Sequence, residues 1–465
     1  MTENALPLNH NEGTGVHSAL DAQSYYNVLL SERAGIEDAY RRKTERSRQL
    51  YERASTRLPG GCTRDAALRN PYPSFFKQGA GSRLHDVDGN ILTDFWFNAT
   101  SLIHGHAAAR IETAVAQQLK LGTAFYAPTE GEWLLAEEIC GRLLGAEMAR
   151  FCNSGSEAVM MALRIARGHT GRSLIAKFEG SYHGSYDDVS WSVGPALEHL
   201  GDSSRPRAVP EGAGLPVGDH RTIVLPFNDL EASAALIRQH AKDLAAIILE
   251  PLANRMGFIE AERDFVLGLR QLCDIHGIVL IFDEVISFRA SQKGMQGLLG
   301  IAPDLTTLGK IVGGGFPVGA VAGRAEIMNI THPSTKNRVT HTGTFNGNPI
   351  TVAAGLATLR ELTPAAFGRL DELGEYARGT LRQKCANAPL KVSGLGSLFK
   401  ITAVEGELHN YRDSVKASKA WESLASLALL TKGCFLSAGL QGCVSTVTSH
   451  AEIDSLADAV ESIVR

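Results

Sequence analysis

The chain has no run of the roughly 18 apolar residues that a membrane-spanning helix needs. Residues 1–15 carry Asn, His, Glu and Gly where a secretion signal would have a basic start and an apolar core. A cytoplasmic protein is the expectation. Cysteine is sparse: Cys62, Cys140, Cys152, Cys273, Cys385, Cys434 and Cys443 show no C-x-x-C spacing and no even framework, so reduced thiols are expected. The 15 histidines include no H-E-x-x-H, and His104 with His106 around Gly105 reads as a packed turn, not a metal pair. A basic excess is also missing, since 46 Lys and Arg stand against 50 Asp and Glu for a net charge of -4. That removes the electrostatic case for nucleic acid or an anionic membrane and leaves a small-molecule partner.

What is present suffices for more than one core: 465 residues, 44% hydrophobic and 21% charged. Residues 1–20 are poor in apolar side chains and read as a disordered extension. Residues 22–58 have helical stretches that stop at Pro59-Gly60-Gly61, and the turn 86–90 joins two short strand-like runs. From 106 to 346 strand and helix patterns alternate, with strands expected at 149–153, 174–178, 222–225, 245–250, 278–283 and 319–323. Helices are expected at 350–362, 364–385, 414–431 and 451–464, and a strand at 392–404. The resulting division is an N-terminal segment 21–105, a large ligand-binding domain 106–346 and a C-terminal segment 347–465. The two terminal segments together would make a smaller domain closing over the substrate.

Four short stretches carry chemistry. Lys310 ends the run 305–310, between an apolar strand and Gly313, Gly314 and Gly315; a partly buried amine there loses its charge readily and becomes a nucleophile toward carbonyls. Asp283 closes the β-branched run 278–283, where a carboxylate points into the crevice at the strand ends. Asn153, Ser154, Gly155 and Ser156 lead from a strand into a helix, whose free N–H groups and dipole suit a phosphate. Tyr182 lies between Gly180 and Gly184, which let an aromatic face approach a flat ligand. Each has a plainer reading: a surface lysine, a helix-capping aspartate, an ordinary serine cap, a core aromatic.

Taken in order, these stretches, together with Phe282-Asp283-Glu284-Val285, residues 306–315 and Gly343-Thr344-Phe345-Asn346-Gly347-Asn348-Pro349, resemble the class III aminotransferases of fold type I, which use pyridoxal 5′-phosphate. The similarity runs from about Tyr51 to the C-terminus and is closest to the branch holding glutamate-1-semialdehyde aminomutase and the β-amino-acid and D-phenylglycine aminotransferases. It implies an α/β fold with a mostly parallel sheet and a smaller α+β domain. It makes Lys310 the Schiff-base lysine that also shuttles the proton. It pairs Asp283 with the pyridinium nitrogen, puts Tyr182 and Val285 on the two ring faces, and adds His183 and Glu250 beside the cofactor. The phosphate falls to Gly155 and Ser156, with Thr344 reaching it from a neighbouring subunit, hence a homodimer with shared sites.

The substrate is less sharply marked. Arg64, after Pro59-Gly60-Gly61-Cys62-Thr63, matches a stretch where β-amino-acid aminotransferases carry a carboxylate-binding arginine, and a guanidinium suits a carboxylate through two parallel N–H bonds. Trp96, Phe97, Asn98 and Ala99 with Phe125 and Tyr126 could line an apolar pocket, and Arg289 is a further anion contact. The aminomutase pattern has a tryptophan near Ala99 and a gating glutamate where Ser437 stands; the second arginine of the β-amino-acid enzymes is missing between Cys434 and His450. The reading is a ping-pong aminotransferase passing an amine from a carboxylate-bearing amino acid to an oxo-acid, with intramolecular 2,1-aminomutase chemistry as the alternative. A phosphate-loop reading of Lys310 fails, because there the glycines precede the lysine and Ser or Thr follows it, whereas Ile311 follows here.

Overall fold

The computed structural model describes residues 21–218 and 220–464, so the expected disordered stretch 1–20 lies outside the described residues. Its centre is a seven-stranded sheet of β1 (Met148–Cys152), β2 (Leu174–Phe178), β3 (Thr222–Leu225), β4 (Leu244–Leu249), β5 (Val279–Asp283), β6 (Leu305–Gly309) and β7 (Gly319–Gly323). The spatial order is β1-β7-β6-β5-β4-β2-β3. β4, β5 and β6 are buried along their whole length. They therefore read in sequence as unbroken apolar runs instead of alternating ones. Each fully buried isoleucine among them, such as Ile247, Ile248 and Ile281, contributes roughly 1.5–3 kcal/mol.

The expectations of strands at 174–178, 222–225 and 319–323 match residue for residue, while those at 149–153 and 245–250 are shifted by one position at both ends and that at 278–283 starts one residue early. β7 runs antiparallel to both neighbours, with Gly319 opposite Gly309 of β6 and Cys152 of β1. The cause is local: residues 310–318 are fewer than the dozen or so needed for a parallel crossover, so the chain can only double back.

Away from this sheet the helical N-terminal stretch is three helices, Ala22–Ser31, Arg33–Lys43 and Glu45–Ala54. Phe76–Ala80, Arg83–Asp86 and Ile91–Asp94 then form an antiparallel sheet, joined by the parallel strand Cys434–Phe435. The N- and C-terminal segments thus share one sheet. Tyr25 and Tyr26 also pack on Trp421, with ring centroids 6.4 and 6.2 Å away.

Two expectations are corrected. The strand expected at 392–404 is an antiparallel pair, Lys391–Ser393 and Leu398–Thr402, because Gly394 at φ 131° breaks the run. The helix expected at 414–431 begins at Lys419, and Tyr411–Ser414 is a separate turn. Among the described residues no helix is long and apolar enough to cross a membrane, and no cluster of His, Cys, Asp and Glu could hold a metal.

Candidate active site

The C-terminal ends of β1, β2, β4, β5 and β6 meet at one edge of the sheet, where open α/β folds place ligands. A cavity of about 380 Å³ lies there, walled by Gly155 and Ser156 after β1, Tyr182 and His183 after β2, Glu250 after β4, Asp283 and Val285 at β5, and Lys310 after β6. Arg64 and Asn98 join them from the N-terminal segment. Thr344 is apart: it is exposed on the wall of a second cavity of about 820 Å³, with Tyr126, Trp133 and Arg150.

Ser154 caps the helix Gly155–Thr170 by accepting from Glu157 N (3.1 Å), while Glu157 Oε2 accepts from Asn153 N (2.7 Å). The two groups satisfy each other much as a capping box does, and Gly155 N and Ser156 N stay free for an anion. The serine cap of the plain reading is therefore present. Ser156 is fixed by Ser185 N, which donates to its Oγ (3.1 Å). Gly184 takes φ 88°, and a Cβ there would come within 2.3 Å of Ser156 Oγ.

Asp283 is gripped from three sides. Thr307 Oγ1 and Val285 N donate to Oδ1 at 3.0 and 3.2 Å, and His183 Nδ1 lies 2.8 Å from Oδ2. Burial lowers the pKa of His183, so the ring is neutral. An ionised carboxylate can only accept, which places the proton on Nδ1 and leaves Nε2 a buried acceptor without a partner.

Lys310 has φ 51°, a left-handed backbone that costs an ordinary residue about 1–2 kcal/mol and turns its side chain back toward the strand ends. Its Nζ has no hydrogen-bond or ion-pair partner among the described residues, and burial lowers its pKa against the opposing pull of Asp283. Glu250 accepts from Tyr182 N at 2.9 Å and Asn254 N at 3.4 Å. Its carboxyl is pushed up to about 8, first by burial and then by the Asp283 charge, so it holds a proton at neutral pH.

Two sequence readings are corrected here. The aromatic wall does not form: Phe97 is fully buried in the core, Phe125 is half exposed, and Tyr126 is exposed on the second cavity, so Asn98 alone of the 96–99 segment reaches the first cavity. Residues 97–100 make a left-handed turn (φ 45°, 50°, 55° and 72°), which turns Phe97 inward and Asn98 outward. Arg289 is no anion contact. It is buried and spends its donors on Thr100 O, Val444 O, Ser397 Oγ and Cys443 Sγ.

Sequence reasoning missed Lys177 and Arg255 near the cavity and misread Asn98. Lys177 is fully buried and donates to Ser181 O (2.8 Å) and Trp191 O (2.5 Å), pinning the turn that carries Tyr182; burial lowers its pKa to about 7. Its signal was a lysine inside the apolar strand 174–178. Arg255 lies over the Tyr182 ring, 4.5 Å from the centroid. Asn98 was read as part of an apolar stretch, although asparagine is among the non-glycine residues that most readily accept a left-handed backbone.

A free helix N-terminus, a clamped carboxylate, an aromatic side chain and an unpaired amine in one cavity make a site for a phosphate-bearing aromatic aldehyde. The family model for class III aminotransferases matches residues 66–464. The glutamate-1-semialdehyde 2,1-aminomutase of Methanothermobacter thermautotrophicus is 40% identical over 424 residues, covering 90% of this chain and 98% of that protein. Among solved structures, an omega-transaminase from Sphaerobacter thermophilus is 44% identical with a TM-score of 0.87, and a transaminase with pyridoxal phosphate bound is 39% identical with a TM-score of 0.83. Each match covers 90% of this chain and 97% of the other.

Proposed function

Because the chain belongs to the class III aminotransferases, we propose that it moves an amino group on a small substrate whose carboxylate docks on Arg64 while Lys310 carries the proton. The cofactor is pyridoxal 5′-phosphate. The side chains fit it: a first helical turn with free N–H groups for the phosphate, a clamped carboxylate for the ring nitrogen, and an unpaired amine for the aldehyde. When bound, the cofactor supplies an electron sink for the carbon that bears the amine. Lys310, whose pKa burial lowers, takes the proton from that carbon and returns it. Asp283 is held toward the ring by Thr307 and His183, Tyr182 and Val285 close its two faces, and protonated Glu250 adds no negative charge of its own. Gly155 and Ser156 seat the phosphate. Thr344, outside the cavity of its own chain, would complete the seat of a second copy in a homodimer.

The observation that carries this reading is that Arg64 and Lys310 open into the same cavity. The sequence reading ranked transfer between two molecules first; the curated relatives favour the alternative. Proteins named glutamate-1-semialdehyde 2,1-aminomutase, 36–40% identical and matched over 94% or more of their own length, support transfer of the amine between neighbouring carbons of one molecule. Intramolecular exchange is therefore the first reading. Transamination is the second, supported by the 44% identical omega-transaminase and by Ser437, whose Oγ accepts from Gln441 N (2.8 Å) where the aminomutase pattern has a glutamate.

The test is the cofactor absorbance of the purified enzyme during turnover. Conversion of glutamate-1-semialdehyde with no added oxo-acid establishes the first reading. A band lost with a β- or ω-amino acid and restored only by an oxo-acid establishes the second. A protein that shows no such band sinks both.

A further inference from the structure

We propose that Asn98 is a positioning residue that sets substrate specificity: it holds the Arg64 guanidinium pointed into the cavity, so that a carboxylate meets an arginine already aimed. Arg64 Nη1 donates to Asn98 Oδ1 at 2.9 Å. Among the described residues this is the one side-chain hydrogen bond Arg64 makes, and no carboxylate pairs with it. A guanidinium has five N–H donors, so this contact leaves the remainder for a ligand. The partner also matters by its charge. An amide orients the guanidinium without cancelling it, whereas an aspartate at this place would compete with the substrate for the same donors.

Asn98 is itself held in place. Its Nδ2 donates to Ser101 Oγ (3.1 Å), which fixes the amide with its oxygen toward Arg64. The left-handed turn beneath it is pinned at both ends. Asp94 Oδ1 accepts from Trp96 N (2.7 Å) and Phe97 N (2.9 Å), and Arg289 Nη1 donates to Thr100 O (2.5 Å). Phe97 anchors the turn from below as a fully buried side chain. Four consecutive side-chain-bearing residues at positive φ are costly, and such strain persists only where the surroundings over-determine it. Arg64 is solvent-exposed. An exposed arginine samples many rotamers, and fixing it beforehand lowers the entropy lost when a ligand binds.

This inference rests on Arg64 being the carboxylate anchor, and the experiment separates the two claims. Asn98→Gly keeps the left-handed backbone and removes the amide; Asn98→Asp keeps the backbone and adds a charge. Steady-state constants are measured for the cofactor-loaded wild type, Asn98→Gly, Asn98→Asp, Arg64→Ala and the double variant Arg64→Ala with Asn98→Gly. The probes are glutamate-1-semialdehyde and, with an oxo-acid, 3-amino-3-phenylpropanoate. The expected result is a KM raised about tenfold in Asn98→Gly with kcat nearly kept, more in Asn98→Asp, and a double variant no worse than Arg64→Ala alone. Additive effects in the double variant, or an unchanged KM in Asn98→Gly beside a raised KM in Arg64→Ala, overturn the role of Asn98. An unchanged KM in Arg64→Ala for both probes overturns the Arg64 reading and this inference with it.

Discussion

His183 and Asp283 face each other inside the protein, Nδ1 to Oδ2 at 2.8 Å, so the ring proton belongs to the contact and fixes the tautomer. Replacing the carboxylate by an amide removes the charge and puts an NH2 donor against either His183 Nδ1–H or the donors Thr307 Oγ1 and Val285 N. Asp283→Asn is expected to lower kcat by about 10²- to 10³-fold, the usual scale for losing a charge aimed at a reacting group. The check is steady-state kinetics beside a circular dichroism spectrum that shows the fold intact; a loss below fivefold would remove Asp283 from the proposed chemistry.

Lys310→Ala should reduce turnover by about 10³-fold or more, because both the amine and its proton transfer are lost. Half-buried Lys310 has no ion-pair partner to strand, so the melting temperature is expected to stay within a few degrees. Calorimetry on the variant tests that separation of activity from stability.

Gly184→Ala puts a methyl group where Ser156 Oγ stands, on a backbone with φ 88°. The two faults together are expected to cost about 2–3 kcal/mol and to weaken cofactor binding through displaced Ser156. Ser156→Gly in the same background removes the Oγ and Cβ contacts but keeps the one at 2.7 Å to the backbone Cα of residue 156, so chemical denaturation should show most of the loss remaining.

Glu250 gives a pH signature in the cofactor-free protein. Its folded pKa of about 8 lies above the ordinary carboxylate value of 4.5, so between those values the native state holds a proton that the unfolded chain has released. Stability from this group is therefore complete below about pH 4.5 and falls as pH rises through 8. Glu250→Gln should flatten that part of a melting-temperature profile between pH 5 and 9. A profile that superimposes on wild type would contradict the protonated state.

Lys177→Met removes the donor from Ser181 O and Trp191 O while nearly keeping the side-chain length. Two buried carbonyls left without that partner should cost about 2–4 kcal/mol, and the turn bearing Tyr182 should loosen. Amide hydrogen exchange across residues 180–185 would show the loosening as faster exchange than in wild type.

The central sheet was legible because burial on both faces forces continuous apolar runs, and Asp283, Glu250 and Lys310 were legible because each ends or follows such a run. The antiparallel direction of β7 was not, since its apolar sequence looks the same either way and only the length of the preceding turn decides it. Asn98 was hidden for a different reason. Its neighbours Trp96 and Phe97 suggest an apolar wall, and nothing in residue type announces a left-handed turn over four positions. Arg289 was misjudged because the carbonyls it serves lie far off in sequence, and Lys177 was missed because the carbonyls it serves sit in loops whose path the sequence does not show.

The pairing of β1 with β7 has a consequence for biosynthesis. β1 is an edge strand whose neighbour in the sheet is β7, so the segment that leads into Ser154 and Gly155 is tied to residues made much later. While the ribosome is still extending the chain toward Gly323, the early half can gather its own helices but has no partner for this edge. A chain ending before Gly319 would lack the only sheet neighbour, among the described residues, of the strand that leads into the phosphate seat.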